Sequence, residues 1–100
     1  MKRLETIHLR LANTCSDEFV ESICHSYRGK SHFCIFRNEK LPGDIAIFIV
    51  HESNSKETLP SKVGLSLASA LREYGMVEHA SWKEQCSTKE IIDKKHKKAG

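Results

Sequence analysis

"DIAIFIVHE", residues 44–52, decides how this chain is read. The side chains of a strand point alternately to its two faces. Here both faces are apolar: Ile45, Ile47 and Ile49 share one, and Ala46, Phe48 and Val50 share the other. A chain of 100 residues has room for one modest core. One apolar face of the strand belongs to that core, and the other needs a cover of its own.

The neighbouring stretches build a frame around this strand. "SHFCIFR", residues 31–37, is rich in β-formers and reads as a partner strand. "NEKLPGD" between the two is a turn, with Pro42 and Gly43 suited to the central positions of type II. Residues 4–12, "LETIHLRLA", alternate as a first strand, with Ile7, Leu9 and Leu11 on one face and Thr6, His8 and Arg10 on the other. Ser16 is a good N-cap, and Asp17 and Glu18 suit the positive end of a helix. Phe19, Val20, Ile23, Cys24 and Tyr27 then fall at helical spacing up to Gly29. Beyond a polar loop, "SNSKETLPS" at 53–61, a second helix is marked by Val63, Leu67, Ala70, Leu71 and Tyr74 and closed by Gly75. "MVEHASWKEQ", residues 76–85, is a fourth strand, with Val77, His79 and Ser81 alternating against Glu78, Ala80 and Trp82.

The order β-α-β-β-α-β predicts an α+β chain of ferredoxin-like type with a four-stranded antiparallel sheet. Right-handed crossovers place both helices on one face and strands one and three in the centre. The other face of "DIAIFIVHE" is then left open, although burying each large apolar side chain is worth about 1.5–3 kcal/mol. A second copy of the same sheet is the simplest cover, because most oligomers are symmetric homodimers. Residues 1–86 are expected to form this one domain, and residues 87–100 a basic tail. Ser87 and Glu90 make a capping pattern there, so a short helix fraying into disorder is expected.

Charge, cysteines and hydropathy narrow the function classes. Of the 16 Lys and Arg, Lys89, Lys94, Lys95, Lys97 and Lys98 lie in the last 15 residues against Glu90 and Asp93. The remaining 11 basic and 11 acidic residues cancel, so the folded part offers no general nucleic-acid face. "RGKSHFCIF", residues 28–36, resembles an RNA-recognition signature, but it falls on strand two where that signature belongs on strand three. Strand one also lacks the aromatic residue that stacks a base. Cys15, Cys24, Cys34 and Cys86 show no CxxC spacing and are expected to be reduced and mostly buried. No apolar run reaches the roughly 18 residues of a membrane span. Glu5, His8 and Arg10 interrupt any export signal, so a cytoplasmic location is expected.

The element order, the early "FVESI" helix, the paired "SHFCIFR" and "DIAIFIVHE" strands and the ending "GLSLASALREYGMVEHASW" together resemble the dimeric α+β barrel superfamily, over residues 4–85. Within it the chain is similar to antibiotic-biosynthesis-monooxygenase-type domains. The resemblance implies a homodimer and either a cofactor-independent oxygenase acting on aromatic substrates, a haem-degrading enzyme, or a member without activity. The haem-degrading branch carries an axial histidine on its second helix, and residues 61–75 contain none. No cofactor is expected, and the family offers no shared catalytic signature to place on these positions.

Five residues are candidates for a ligand site. Thr6, His8 and Arg10 lie on the open face of strand one, and the neighbouring strand four brings His79 and Trp82. An imidazole, a guanidinium and an indole beside a cavity suit a small aromatic or anionic molecule, and a histidine there is a base at neutral pH. The plainer reading is that these side chains bond across a dimer interface. His79 and Trp82 have opposite parity, so a regular strand cannot send both into one cavity. His8, His51 and His79 could converge, but no H-x-H or H-x-x-x-H spacing occurs, and no metal site is expected. The loop at 53–61 is the place for a lid. The leading expectation is therefore a small-molecule-binding or oxygenase-like dimeric barrel. The competing one is a non-catalytic interaction module whose paired sheets leave no cavity.

Overall fold

A computed structural model describes residues 2–27, 29, 32–52, 56, 58–86 and 88. The elements are β1 (Arg3–Leu11), α1 (Asp17–Tyr27), β2 (His32–Arg37), β3 (Asp44–His51), α2 (Lys62–Leu71) and β4 (Gly75–Lys83). The four strands form one antiparallel sheet in the order β2-β3-β1-β4. The fold is α+β and compatible with a ferredoxin-like arrangement. Residues 87 and 89–100 of the expected tail, and residues 53–55 and 57 of the expected lid at 53–61, lie outside the described residues.

The sheet has one covered and one open face, and the parity of "DIAIFIVHE" sets which is which. Ile45, Ile47 and Ile49 are buried together with Ile7 and Leu9 of β1. Above them lie Ile23 of α1 and Leu67, Ala68 and Leu71 of α2, which complete the core. Ala46, Phe48 and Val50 face the other way and are only half-buried. By register the same open face carries Leu4, Thr6, His8 and Arg10, then Phe36 of β2 and Met76 and Trp82 of β4. Phe36, Met76 and Trp82 are 56%, 74% and 58% exposed.

Local chemistry fixes the helix starts. The hydroxyl of Ser16 accepts the Phe19 N–H at 3.1 Å, and Asp17 is tied to β2 by Arg37 at 2.9 Å. Ser61 caps α2 by accepting the Gly64 N–H at 3.0 Å. The end of α2 departs from the sequence pattern. The helix stops at Leu71, where Arg72 is the C-cap and the Tyr74 N–H turns back to the Leu71 carbonyl. Tyr74 is therefore outside the helix, edge-on to Phe19 at 4.9 Å. Gly75 opens β4 rather than closing α2, because a side chain there would collide with the Arg10 carbonyl.

The hairpin turn also differs in type. Asp44 N–H closes a turn on the Leu41 carbonyl at 2.9 Å, with Pro42 and Gly43 central as expected. Gly43 does not have the positive φ that type II requires. Its lack of a side chain serves packing instead, since a Cβ would lie 2.7 Å from the Asn13 carbonyl oxygen. Among the cysteines only Cys15 is buried, while Cys24, Cys34 and Cys86 are exposed, and all four are free thiols. Exposure corrects the expectation of mostly buried thiols: Cys24 sits on the outer side of α1 and Cys34 on the open sheet face. Among the described residues no helix is long and apolar enough to cross a membrane.

Candidate functional site

The open face holds four of the five candidate residues and one that the sequence pattern did not single out. Asp44 pairs with Arg10 in the β1–β3 register, two residue pairs from His8. Its Oδ1 lies 2.7 Å from His8 Nε2 and accepts from Arg10 Nε at 3.3 Å. Asn38 adds a longer contact to Oδ2 at 3.4 Å. Burial alone would raise the Asp44 pKa, but the hydrogen bonds and charges of His8 and Arg10 outweigh it and hold the carboxyl below its ordinary range. An ionised carboxylate only accepts, so Nε2 of His8 is the donor in this contact.

His8 and Asp44 border an open depression of about 760 Å³. Its apolar lining includes Leu4, Ala46, Phe36 and Phe48. The last two rings meet edge to face at 5.3 Å. On the other side of β1, Thr6 accepts the Trp82 indole N–H at 2.9 Å, which fixes the ring along the sheet. An open apolar depression bordered by an oriented imidazole, with the Arg10 guanidinium on the same Asp44 carboxylate, can hold a small molecule bearing an acidic group.

His79 is not part of this arrangement. It lies on the helix-covered face with Val77, as its parity requires, and meets a second polar cluster there. The centre of that cluster is Glu5, which has no exposed surface. Glu5 Oε1 is 2.7 Å from His51 Nε2, and Oε2 is 2.8 Å from His79 Nε2. The Ser61 N–H donates to Oε2 at 3.1 Å, and the Ser61 hydroxyl adds a side-chain hydrogen bond. Burial alone would raise the Glu5 pKa. The hydrogen bonds from Ser61, His79 and His51 outweigh it, and the net direction is downward. Gly64 stands directly over the carboxylate, where any side chain would collide with Oε2.

His51 and His79 do converge, but on Glu5, while His8 is on the opposite face. Among the described residues no group of three or more His, Cys, Asp or Glu is placed to hold a metal ion. The sequence carried a signal for the Glu5 cluster. Glu5 has the parity of Ile7 and Leu9, His51 that of Ile49, and His79 that of Val77. A carboxylate and two imidazoles written in core positions of three adjacent strands must meet one another.

No known protein family, curated protein or solved structure matches the chain.

Proposed function

We propose that two copies of this chain pair open sheet face to open sheet face as a dimeric α+β barrel, and that the space between them binds a small aromatic or anionic molecule. The observation that carries this reading is the His8–Asp44 hydrogen bond at the margin of the apolar depression. Phe36 and Phe48 supply a surface for a planar ring. Arg10 has most of its side chain in solvent although it touches Asp44, so it retains donors for an anionic group. His8, oriented by Asp44, is the acid–base group, and proton abstraction from a weakly acidic ligand is the chemistry it offers. The resemblance to monooxygenase-type domains fits that chemistry, because an oxygenase without a cofactor must activate its substrate by deprotonation.

A second reading rests on Trp82. An indole anchored to Thr6 yet more than half exposed, with Met76 and Phe36 on the same face, has the character of an interface anchor. In that case the paired sheets fill the space between them, and the protein is an interaction module without a ligand.

Sedimentation at micromolar concentration, combined with Trp82 fluorescence against a panel of phenols and aromatic carboxylates, tests both. A dimer that binds panel members, with binding lost in His8→Ala and Arg10→Ala, supports the ligand reading. A dimer that binds none of them favours the module. A monomer that binds none removes both.

A further inference from the structure

We infer, resting on the ligand site proposed above, that Glu78 makes that site selective by charge: it admits uncharged ring compounds with a hydrogen-bonding group and turns away carboxylates of the same shape.

Strand register puts Glu78 beside His8. The two are partners in the β1–β4 pairing, as His8 and Ala46 are in the β1–β3 pairing. Paired side chains on one face of an antiparallel sheet stand about 5 Å apart at Cβ. His8, Arg10, Met76 and Glu78 border one small recess, so the exposed Glu78 side chain lies on the open face. His8 therefore stands between two carboxylates. Asp44 of β3 is 2.7 Å from its ring, and Glu78 of β4 flanks it on the side away from the apolar depression.

The selectivity follows from the charge at this margin. The four strands send Arg10, Asp44 and Glu78 to the open face as charged groups, with imidazoles at His8 and His32. His32 shares the row of Leu4 and Val50, about 20 Å along the strands from Arg10. Arg10 is bonded to Asp44 at 3.3 Å, which leaves Glu78 without a cation of its own. Two carboxylates against one guanidinium give the margin a net negative charge when His8 is neutral and none when it is protonated. In neither state is there a spare cation for an anionic ligand. Arg37, which also borders the depression, is engaged by Asp17 at 2.9 Å. A second copy paired face to face brings the same open-face set again. Exclusion of water from between the sheets lowers the dielectric and strengthens the repulsion. The acidic group that His8 and Arg10 accommodate thus enters in its uncharged form.

Equilibrium dialysis of the full chain at neutral pH against naphthol, naphthamide and naphthoate tests this. The three share one ring, and only naphthoate is charged. Wild type should bind naphthoate about tenfold or more weakly than either neutral compound, as expected for one unpaired like charge close by. In Glu78→Gln the ratio should fall toward unity, and in Glu78→Lys the preference should reverse. Glu21→Gln removes a carboxylate from the exposed side of α1 and should keep the wild-type ratio. Surface replacements of this kind change stability by less than about 0.5 kcal/mol, and circular dichroism checks that each variant is folded. Naphthoate bound by wild type as tightly as the neutral pair overturns the charge selection and leaves the ligand site standing. A preference for the neutral pair that survives Glu78→Lys takes the role from Glu78. If none of the three binds, the ligand site itself falls and the selection with it.

Discussion

A carboxylate with no exposed surface, such as Glu5, survives folding only if donors meet the lone pairs it carries inside. Replacing it by Gln keeps the shape and turns one acceptor into a donor aimed at N–H groups. Glu5→Gln should cost about 1–3 kcal/mol in a denaturant titration, and a loss well below that range would show the cluster to be looser than its distances imply. Gly64 gives a test of sign. Gly→Ala inside a helix ordinarily gains up to about 1 kcal/mol. Gly64→Ala should instead destabilise, while Ser66→Ala on the exposed side of the same helix should not. Equal effects at the two positions would contradict the close approach to Glu5. Asp44 predicts a pH dependence. Its folded pKa is depressed, so the stability it contributes is present above the ordinary carboxylate range and is lost as pH falls through the depressed value. Urea midpoints followed from neutral pH into strong acid should fall less in Asp44→Asn than in the wild type. Parallel curves would remove Asp44 from the acid limb.

The strands were legible in the sequence, because a period of two is set by the backbone and survives any packing. Thr6, His8, Arg10 and Trp82 follow from that rule alone, and so does the separation of His79 from them. The helix end was less legible. Tyr74 continues the helical spacing of Val63, Leu67 and Leu71, yet its ring packs on Phe19 from beyond the last turn. Tertiary packing of an aromatic side chain imitated a helical register there. The turn type failed for a related reason. Pro-Gly reads as type II when glycine is assumed to supply a positive φ, whereas Gly43 supplies space for the loop after β1. Asp44 was missed as a site residue because its role depends on strand register, which no single strand records. At this scale the cap is the sharpest test. Ser61→Ala removes the acceptor for the Gly64 N–H and the hydroxyl that reaches Glu5. A loss near the upper end of the usual 0.5–2 kcal/mol for a cap is expected by thermal melting. A loss near the lower end would mean that the backbone N–H of Ser61 alone holds Glu5.

For the molecule as a whole, the open face carries the proposed pairing and the proposed ligand site. Phe48 lies at its centre, between Thr6 of β1 and Cys34 of β2. If two copies pair through this face, Phe48→Lys places an uncompensated charge in the interface and should shift the sedimentation profile from dimer to monomer. The helix-side core would be untouched, so the monomer should keep the wild-type circular dichroism. An unchanged profile would point to association elsewhere or to none. The face itself was foreseeable from "DIAIFIVHE", since right-handed crossovers put both helices on one side of the sheet and leave the strand's second apolar face open.

The contact between Gly64 and Glu5 also has a historical consequence. A side chain at position 64 is excluded while a carboxylate occupies position 5, and that carboxylate is tolerable inside only while positions 51 and 79 supply donors. Descendants of this sequence should therefore exchange the four positions as a set, an apolar residue at 5 releasing 51, 64 and 79 together. Once homologous sequences are aligned, covariation among these columns should exceed that of any equally spaced quartet on the exposed face of α1.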